Sequence, residues 1–511
     1  MRTLHKTLAS LGILATTALG HLAGCSNDAE NCDLNYACRG SDVPPVPPGC
    51  EKSPSEDPDV LRDACGFFVG AAKGDDSNPN AGTEATPFRT LGAALAAAKG
   101  KASRIYLCGD YAERVDVPAG MSIFGGLDCS NAEWRYDASK KAKINPAAPA
   151  SPEEVQASLR VVGSGITQLE DLRIEAANAT LPGGSSIAVI VNGATVDFAR
   201  TEVIARDGAA GEQGATPTDD IGPTNADDPL IRGNPGQNAC MGGAGGNPGA
   251  MPKVNPICGE SSGGKGGNGQ ETTGDAGGDG VPAPTPNPSN RGIGGLGDTG
   301  AEDCELGQPG ANGTSLGDGA GAQGDGSLDA TKGYAGESGT PGMKGTVGQG
   351  GGGGGGSKGK TSCFGASGGS GGAGGCGGNG GLGGMPGGAS IGIVGIGATM
   401  SFNMVDIITG TGGKGGDGGF GQAGGLGGNP GNGGNGASSP PTPPGCNGGK
   451  GGNGGNGGTG GGGRGGHSIG IASKGGNVSQ EGVTIMTGSP GNGGNGGTAA
   501  AGLNTPTHTF P

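Results

Sequence analysis

Aromatic residues are scarce in this sequence, 3% of 511 residues, and charged residues reach only 15%, against roughly 25% in ordinary soluble domains. Only part of such a chain can own a hydrophobic core. Histidine is scarcer still: the four are His5, His21, His467 and His508, and the first two fall in a segment expected to be removed. A Ser/His/Asp relay or a multi-histidine metal site is thereby nearly excluded. No Cys-x-x-Cys occurs, which leaves little for a zinc thiolate site. Basic residues are outnumbered, 31 Lys and Arg against 46 Asp and Glu, a net charge of −15. That balance argues against nucleic acid, or an anionic lipid reached by charge attraction, as a partner. What the chain has instead is 128 Gly and 35 Pro, about a third of its length, which rules out one ordinary globular enzyme.

Residues 1–24 read as an export signal, with Arg2 and Lys6 ahead of a mostly apolar stretch over 8–19. The apolar run is too short to span a bilayer. It ends in Leu22-Ala23-Gly24-Cys25, which resembles the bacterial lipoprotein box. The resemblance implies that Cys25 is acylated and becomes the mature N-terminus, and two acyl chains hold a protein stably on a membrane. Ser26 rather than Asp follows, which in the enterobacterial sorting pattern favours the outer membrane. Setting Cys25 aside leaves twelve of 13 cysteines, an even number that suits disulfides in an oxidising compartment. Sequence neighbours suggest Cys32 with Cys38, Cys50 with Cys65, Cys108 with Cys129, Cys240 with Cys258 and Cys363 with Cys376, leaving Cys304 for Cys446. Connectivity is not fixed by sequence.

Residues 25–64 form a polar, Pro-rich segment expected to be a tether. Over 65–207, Thr86-Pro87 is expected to open a helix whose apolar stripe is Leu91, Ala94, Leu95 and Ala98, ending at Gly100. Short strands follow at 105–107, 115–117 and 122–124, bounded by Gly and Pro turns. Asp75-Asp76-Ser77-Asn78-Pro79, Thr86-Pro87-Phe88-Arg89-Thr90-Leu91 and the stretch from Tyr111 to Gly126 together resemble the opening of pectate-lyase-like right-handed parallel β-helix proteins. The match covers residues 65–135. It implies an all-β solenoid with an N-terminal capping helix, and it does not imply one activity, since the fold hosts many.

Internal repeats support the same expectation. With Ser186, Ser390 and Ser468 in one column, Ile187, Ile391 and Ile469 share +1, and Val189, Ile393 and Ile471 share +3. Val196, Met400 and Val478 share +10; Thr201, Val405 and Val483 share +15; Val203, Ile407 and Ile485 share +17. The +1/+3 and +15/+17 pairs are expected to alternate as strands with one buried face, and a less regular turn from Leu159 to Ile174 precedes them. The solenoid turns at 389–409 and 467–487 are separated by glycine-rich insertions at 208–388 and 410–466, with a glycine-rich tail over 488–511. Their Gly-Gly-X texture disfavours collagen and suits a polyglycine-II-like helix of three residues per turn, with a disordered loop as the competing state. In composition the insertions resemble the Gly-Gly-X domains of mycobacterial surface proteins.

The clearest stacked carboxylates are Glu202 and Asp406, both at +16 and facing outward, with Thr484 in the third turn. Side by side at the strand spacing, they suit a retaining glycosidase pair or a cation or glycan contact, or else a solvated face. Asp75, Asp76 and Asn78 fit a calcium-binding loop or a polar turn. Residues 412–420 partly fit a calcium nonapeptide, with Gly419 where a bulky residue belongs. Trp134 and Tyr136 suit either sugar stacking or packing. No phosphate-loop pattern occurs. The expectation is a lipid-anchored, non-catalytic surface or envelope protein on the bacterial outer membrane or cell surface, with no cofactor beyond possible calcium, and with polysaccharide or envelope proteins as partners. The alternatives are a polysaccharide lyase or hydrolase of the same fold, and a glycan- or calcium-binding adhesin.

Overall fold

A computed structural model describes residues 43–511 except 132, 153 and 244. The export signal, Cys25 and the expected Cys32 to Cys38 pair lie outside the described residues. The described chain is nearly all β, with one α-helix at Leu91–Ala98 and one 3-10 turn at Pro58–Val60.

The helix buries Leu91, Ala94, Leu95 and Ala98, the stripe expected from spacing, but its N-cap is Thr90 rather than Thr86. Thr90 Oγ1 accepts the Ala93 N–H at 3.2 Å. The chain stays extended one turn longer because Phe88 bridges to Val69 and donates its N–H to Phe68 O. The remaining free N–H groups of the first turn, Leu91 and Gly92, go to Glu113 at 2.7 and 2.9 Å, a placement that also favours negative charge at the positive helix end.

The strands build an eleven-stranded sheet and a six-stranded sheet. Pairing in the larger is parallel, for example Ser186–Asn192 with Ser390–Asn403 and the latter with Ser468–Val478. In the smaller, Glu202–Ile204 pairs in parallel with Val405–Ile408, and that strand with Val483–Met486. The larger sheet curls because Ser390–Asn403 turns a corner: its first half pairs with Ser186–Asn192 and its second half with Thr195–Ala199. This arrangement is compatible with a β-solenoid. Its register is the one in the repeat columns: Ile187, Ile391 and Ile469 are aligned partners, as are Val189, Ile393 and Ile471. The corner into the second sheet is a left-handed residue in successive turns, Asp171 at φ 53°, Arg200 at 48°, Met404 at 55° and Gly482 at 70°.

One expectation about faces fails. The +1 and +3 residues do not share a face: Val189, Ile393 and Ile471 belong to the interior core, whereas Ile187, Ile391 and Ile469 belong to a second cluster with Leu328, Tyr334 and Phe510. The residue between them breaks strict alternation. A Cβ on Gly392 would come within 2.4 Å of Ile407 Cγ2, and one on Gly470 within 2.3 Å of Ile485 Cγ2, so this column points inward. Both columns are buried because the hairpin of Ser327–Asp329 and Gly333–Ala335 and the C-terminal Phe510 cover the outer face.

The glycine-rich insertions are ordered as extended segments lying side by side. Along 350–356 the N–H groups bond three neighbours in rotation: Gly350, Gly353 and Gly356 go to Val281, Gly278 and Asp275; Gly351 and Gly354 to Gly372 and Gly369; Gly352 and Gly355 to Gln308 and Glu305. The carbonyls accept from three other segments, through Gly264 and Gly267, Gly295 and Asp298, and Gly449 and Cys446. Six neighbours therefore surround this segment, with a three-residue repeat. A Cβ at Gly353 would meet Lys265 O at 1.8 Å, and one at Gly355 Leu296 O at 1.9 Å. No residue with a side chain fits at the centre, which is why seven glycines run consecutively there.

Other segments carry a side chain every third residue, several of them buried between neighbours. In 365–388 those positions hold Ser367, Ser370, Ala373, Cys376, Asn379, Leu382 and Met385. Where a neighbouring backbone is missing, polar side chains replace it: Asn312 Oδ1, Ser315 Oγ and Asp318 Oδ1 accept the N–H groups of Asn453, Asn456 and Thr459. Ordering a residue costs about 1–2 kcal/mol and a hydrogen bond returns about 0.5–1.5 kcal/mol, so such a lattice gains from covalent staples.

Those staples join distant stretches. Cys50 to Cys65, Cys108 to Cys129 and Cys304 to Cys446 form as expected. The other four cysteines pair as Cys240 to Cys363 and Cys258 to Cys376, not as Cys240 to Cys258 and Cys363 to Cys376. Segments adjacent in the bundle are far apart in sequence, here by 123 and 118 residues, so sequence proximity misleads.

The expected tether is packed from Val43 onward. Cys50, Val60 and Cys65 join a core with Phe68, Tyr106, Phe124 and Trp134. Tyr106 donates to Val60 O at 2.7 Å, and the buried Arg104 donates to Lys52 O at 2.6 Å.

Candidate functional site

The outward column of the second sheet runs Lys143, Arg173, Glu202, Asp406 and Thr484, each the register partner of the next. Glu202 and Asp406 are therefore neighbours, as their column requires. The first of them is not a free acid: Arg173 Nη1 donates to Glu202 Oε2 at 3.2 Å, and Lys141 Nζ lies 3.7 Å from Oε1. Asp406 is exposed. Next to this column, Glu175 faces Arg173, Lys143 and Arg206. Burial works against ionisation of Glu175, but hydrogen bonds from Arg206 and Arg173 outweigh it and hold its carboxyl below the ordinary value. The column is a ladder of two cations followed by two carboxylates. Retaining hydrolysis needs one carboxyl as acid and one as nucleophile, and here cations engage both oxygens of Glu202.

Sequence reasoning missed the basic members of this ladder. The signal was present: Arg173-Ile174 repeats the pattern of Glu202-Val203 and Asp406-Ile407, and only the irregular preceding loop hid the alignment.

The acidic loop is used by the fold. Asp75 Oδ1 accepts the Ser77 hydroxyl and N–H at 2.6 and 2.9 Å, and these bonds hold its carboxyl low. Asp76 accepts from Arg89 N and Thr90 N at 2.7 and 3.1 Å and from Thr90 Oγ1 at 2.8 Å, fixing the entry to the helix. Asn78 caps its own turn through Asn80 N. In 412–420, Asp417 pairs with Lys414 at 2.7 Å and accepts Asn495 N. Trp134 is buried edge-on against Phe68, ring centroids 5.0 Å apart, and Tyr136 is half-buried on the paired strand. Among the described residues no three His, Cys, Asp or Glu side chains converge as a metal site.

Two charged arrangements had no sequence signal. At the corner, Arg200 bonds Glu170 at 2.7 Å, Asp171 at 2.9 Å and the Ser55 hydroxyl at 2.8 Å, pinning the N-terminal segment to the sheet. Burial pushes the Glu170 carboxyl up despite this pairing. At the bundle end remote from Gly388, loops around Glu271, Asp298, Glu302, Lys358 and Lys360 line an open depression of about 780 Å³. The buried Asp298 shapes it by accepting the Gly300 and Lys358 N–H groups at 2.7 and 2.9 Å.

Comparison with known proteins adds no relative: no family model, curated protein or solved structure matches the chain. Among the described residues no helix is long and apolar enough to cross a membrane.

Proposed function

We propose that this chain is a lipid-anchored, non-catalytic structural protein of the bacterial outer membrane or cell surface. In this reading a right-handed parallel β-helix of the pectate-lyase-like kind carries a polyglycine-II bundle away from the membrane. The observation that carries it is the bundle: 24 residues over 365–388 at about 3.1 Å each reach roughly 70 Å. A laterally bonded lattice of that length is a stiff spacer. The carboxylates that suggested chemistry support the same reading, since Glu202, Asp75 and Asp76 are bonded within the fold. The five disulfides among the described residues suit an oxidising, extracytoplasmic setting. Cys25 supplies the anchor, and envelope polymers or proteins are the partners.

The test has two readouts. Cys25→Ala should move the protein from the membrane to the soluble fraction. The chain from Ser26 onward, mixed with acidic and neutral polysaccharides with and without calcium, should generate no new chain ends. Membrane retention of the variant contradicts the anchor, and cleavage contradicts the non-catalytic role.

A further inference from the structure

Both histidines of the described residues, His467 and His508, meet at one point, where solenoid, bundle, hairpin and C-terminal strand join. His467 is fully buried. Its Nδ1 accepts the Leu503 N–H at 2.8 Å, and its Nε2 lies 2.8 Å from Asp325 O. Only the neutral ring with its proton on Nε2 satisfies both bonds. Leu503 is the residue just before the C-terminal strand Asn504–Thr509, which pairs in parallel with Ser468–Ser473, and Ser468 N–H donates back to Leu503 O.

The charges around this ring come from every packed element. From the bundle, Arg464 Nη2 is 2.8 Å from Asp325 Oδ1. From the C-terminal strand, His508 Nε2 is 3.2 Å from Asp325 Oδ2, with its ring edge-on to Phe510 at 4.7 Å. From the hairpin, Tyr334 stacks edge-on at 5.0 Å and donates to Asp325 O at 3.2 Å. Glu337 spends its carboxylate on Gly324 N–H. At neutral pH, Arg464 and Asp325 balance. A proton on His467 adds a buried second cation beside that pair.

We infer that His467, with Asp325, Arg464 and His508, forms an acid-released latch holding the C-terminal strand on the solenoid edge. A proton on Nδ1 sets one N–H donor against another at Leu503 and places a cation without water beside Arg464. Burial, and then Arg464, disfavour the charged ring in the closed form, so the proton is taken up on opening. The sign follows: the latch is fully closed above the ordinary histidine value of about 6.5 and loosens as pH falls below it. Opening would bare the edge of Ser468–Ser473 and the apolar cluster under Phe510, an edge able to accept another strand.

Amide hydrogen exchange on the full mature chain tests this, corrected for intrinsic rates. Between pH 7.5 and pH 5, protection of Leu503 and of 504–509 should fall at least about tenfold and recover on return. His467→Gln, which can accept and donate as the neutral ring does, should lose no more than about twofold. Protection that is unchanged with pH in the native chain, or an equal loss in His467→Gln, overturns the proposal. Should that variant fail to fold, ¹⁵N imidazole spectra of the native protein decide: an imidazolium at His467 with the strand still protected contradicts the latch, and protonation coincident with opening supports it.

Discussion

The curled parallel sheet and the glycine bundle use the same bond, a backbone N–H to a carbonyl on a neighbouring segment, and differ in what fills the space between. In the sheet region, side chains such as Val189, Ile393, Val203 and Ile407 are fully buried in an apolar core, and burial of each contributes about 1.5–3 kcal/mol. In the bundle the space is filled by backbone itself. A sheet position asks which side chain fits; a bundle position asks whether any does. None fits over 350–356, where an added Cβ meets neighbouring backbone, and a side chain recurs at every third position along 365–388.

This contrast can be broken from either side. The largest effect is expected for Ile407→Asp, which buries an unpaired charge against Gly392 and the inner core and should cost more than about 4 kcal/mol. Denaturant unfolding followed by circular dichroism would register it, and an unchanged midpoint would refute the register. A smaller loss is expected for Gly353→Ala. Its added methyl would overlap Lys265 O, and overpacking of this kind costs about 1–3 kcal/mol. The same exchange in reverse at the X position, Ala373→Gly, should stay within about 1 kcal/mol. Equal costs at the two sites would remove the distinction between the all-glycine run and the X position.

How much was legible in the sequence follows the same divide. The register of the three repeats was readable because Ile, Val and Met recur in fixed columns, and those columns are the observed partners. The face assignment of Ile187, Ile391 and Ile469 was not, since it depends on a hairpin from within a glycine-rich insertion to cover them. Thr90 rather than Thr86 caps the helix because of contacts made by Phe88 and by Asp76, which local spacing does not encode. In the bundle, the three-residue period was visible, but the partners of each segment were not. Cys258 and Cys376 meet only because two Gly-Gly-X segments pack side by side, and nothing in identical texture says which two. The ladder of Arg173 with Glu202 was within reach of the repeat alignment; the His467 latch, assembled from three separate stretches, was not.

The central claim is that backbone packing alone orders a seven-glycine run. Site-resolved hydrogen exchange of the amides over 350–356, at pH 7.5 and 25 °C, tests it most directly. Each amide has a carbonyl partner at 2.8–3.0 Å, so the run should exchange as slowly as the buried strands of the parallel sheet. Exchange at the rate of free polyglycine would contradict the account.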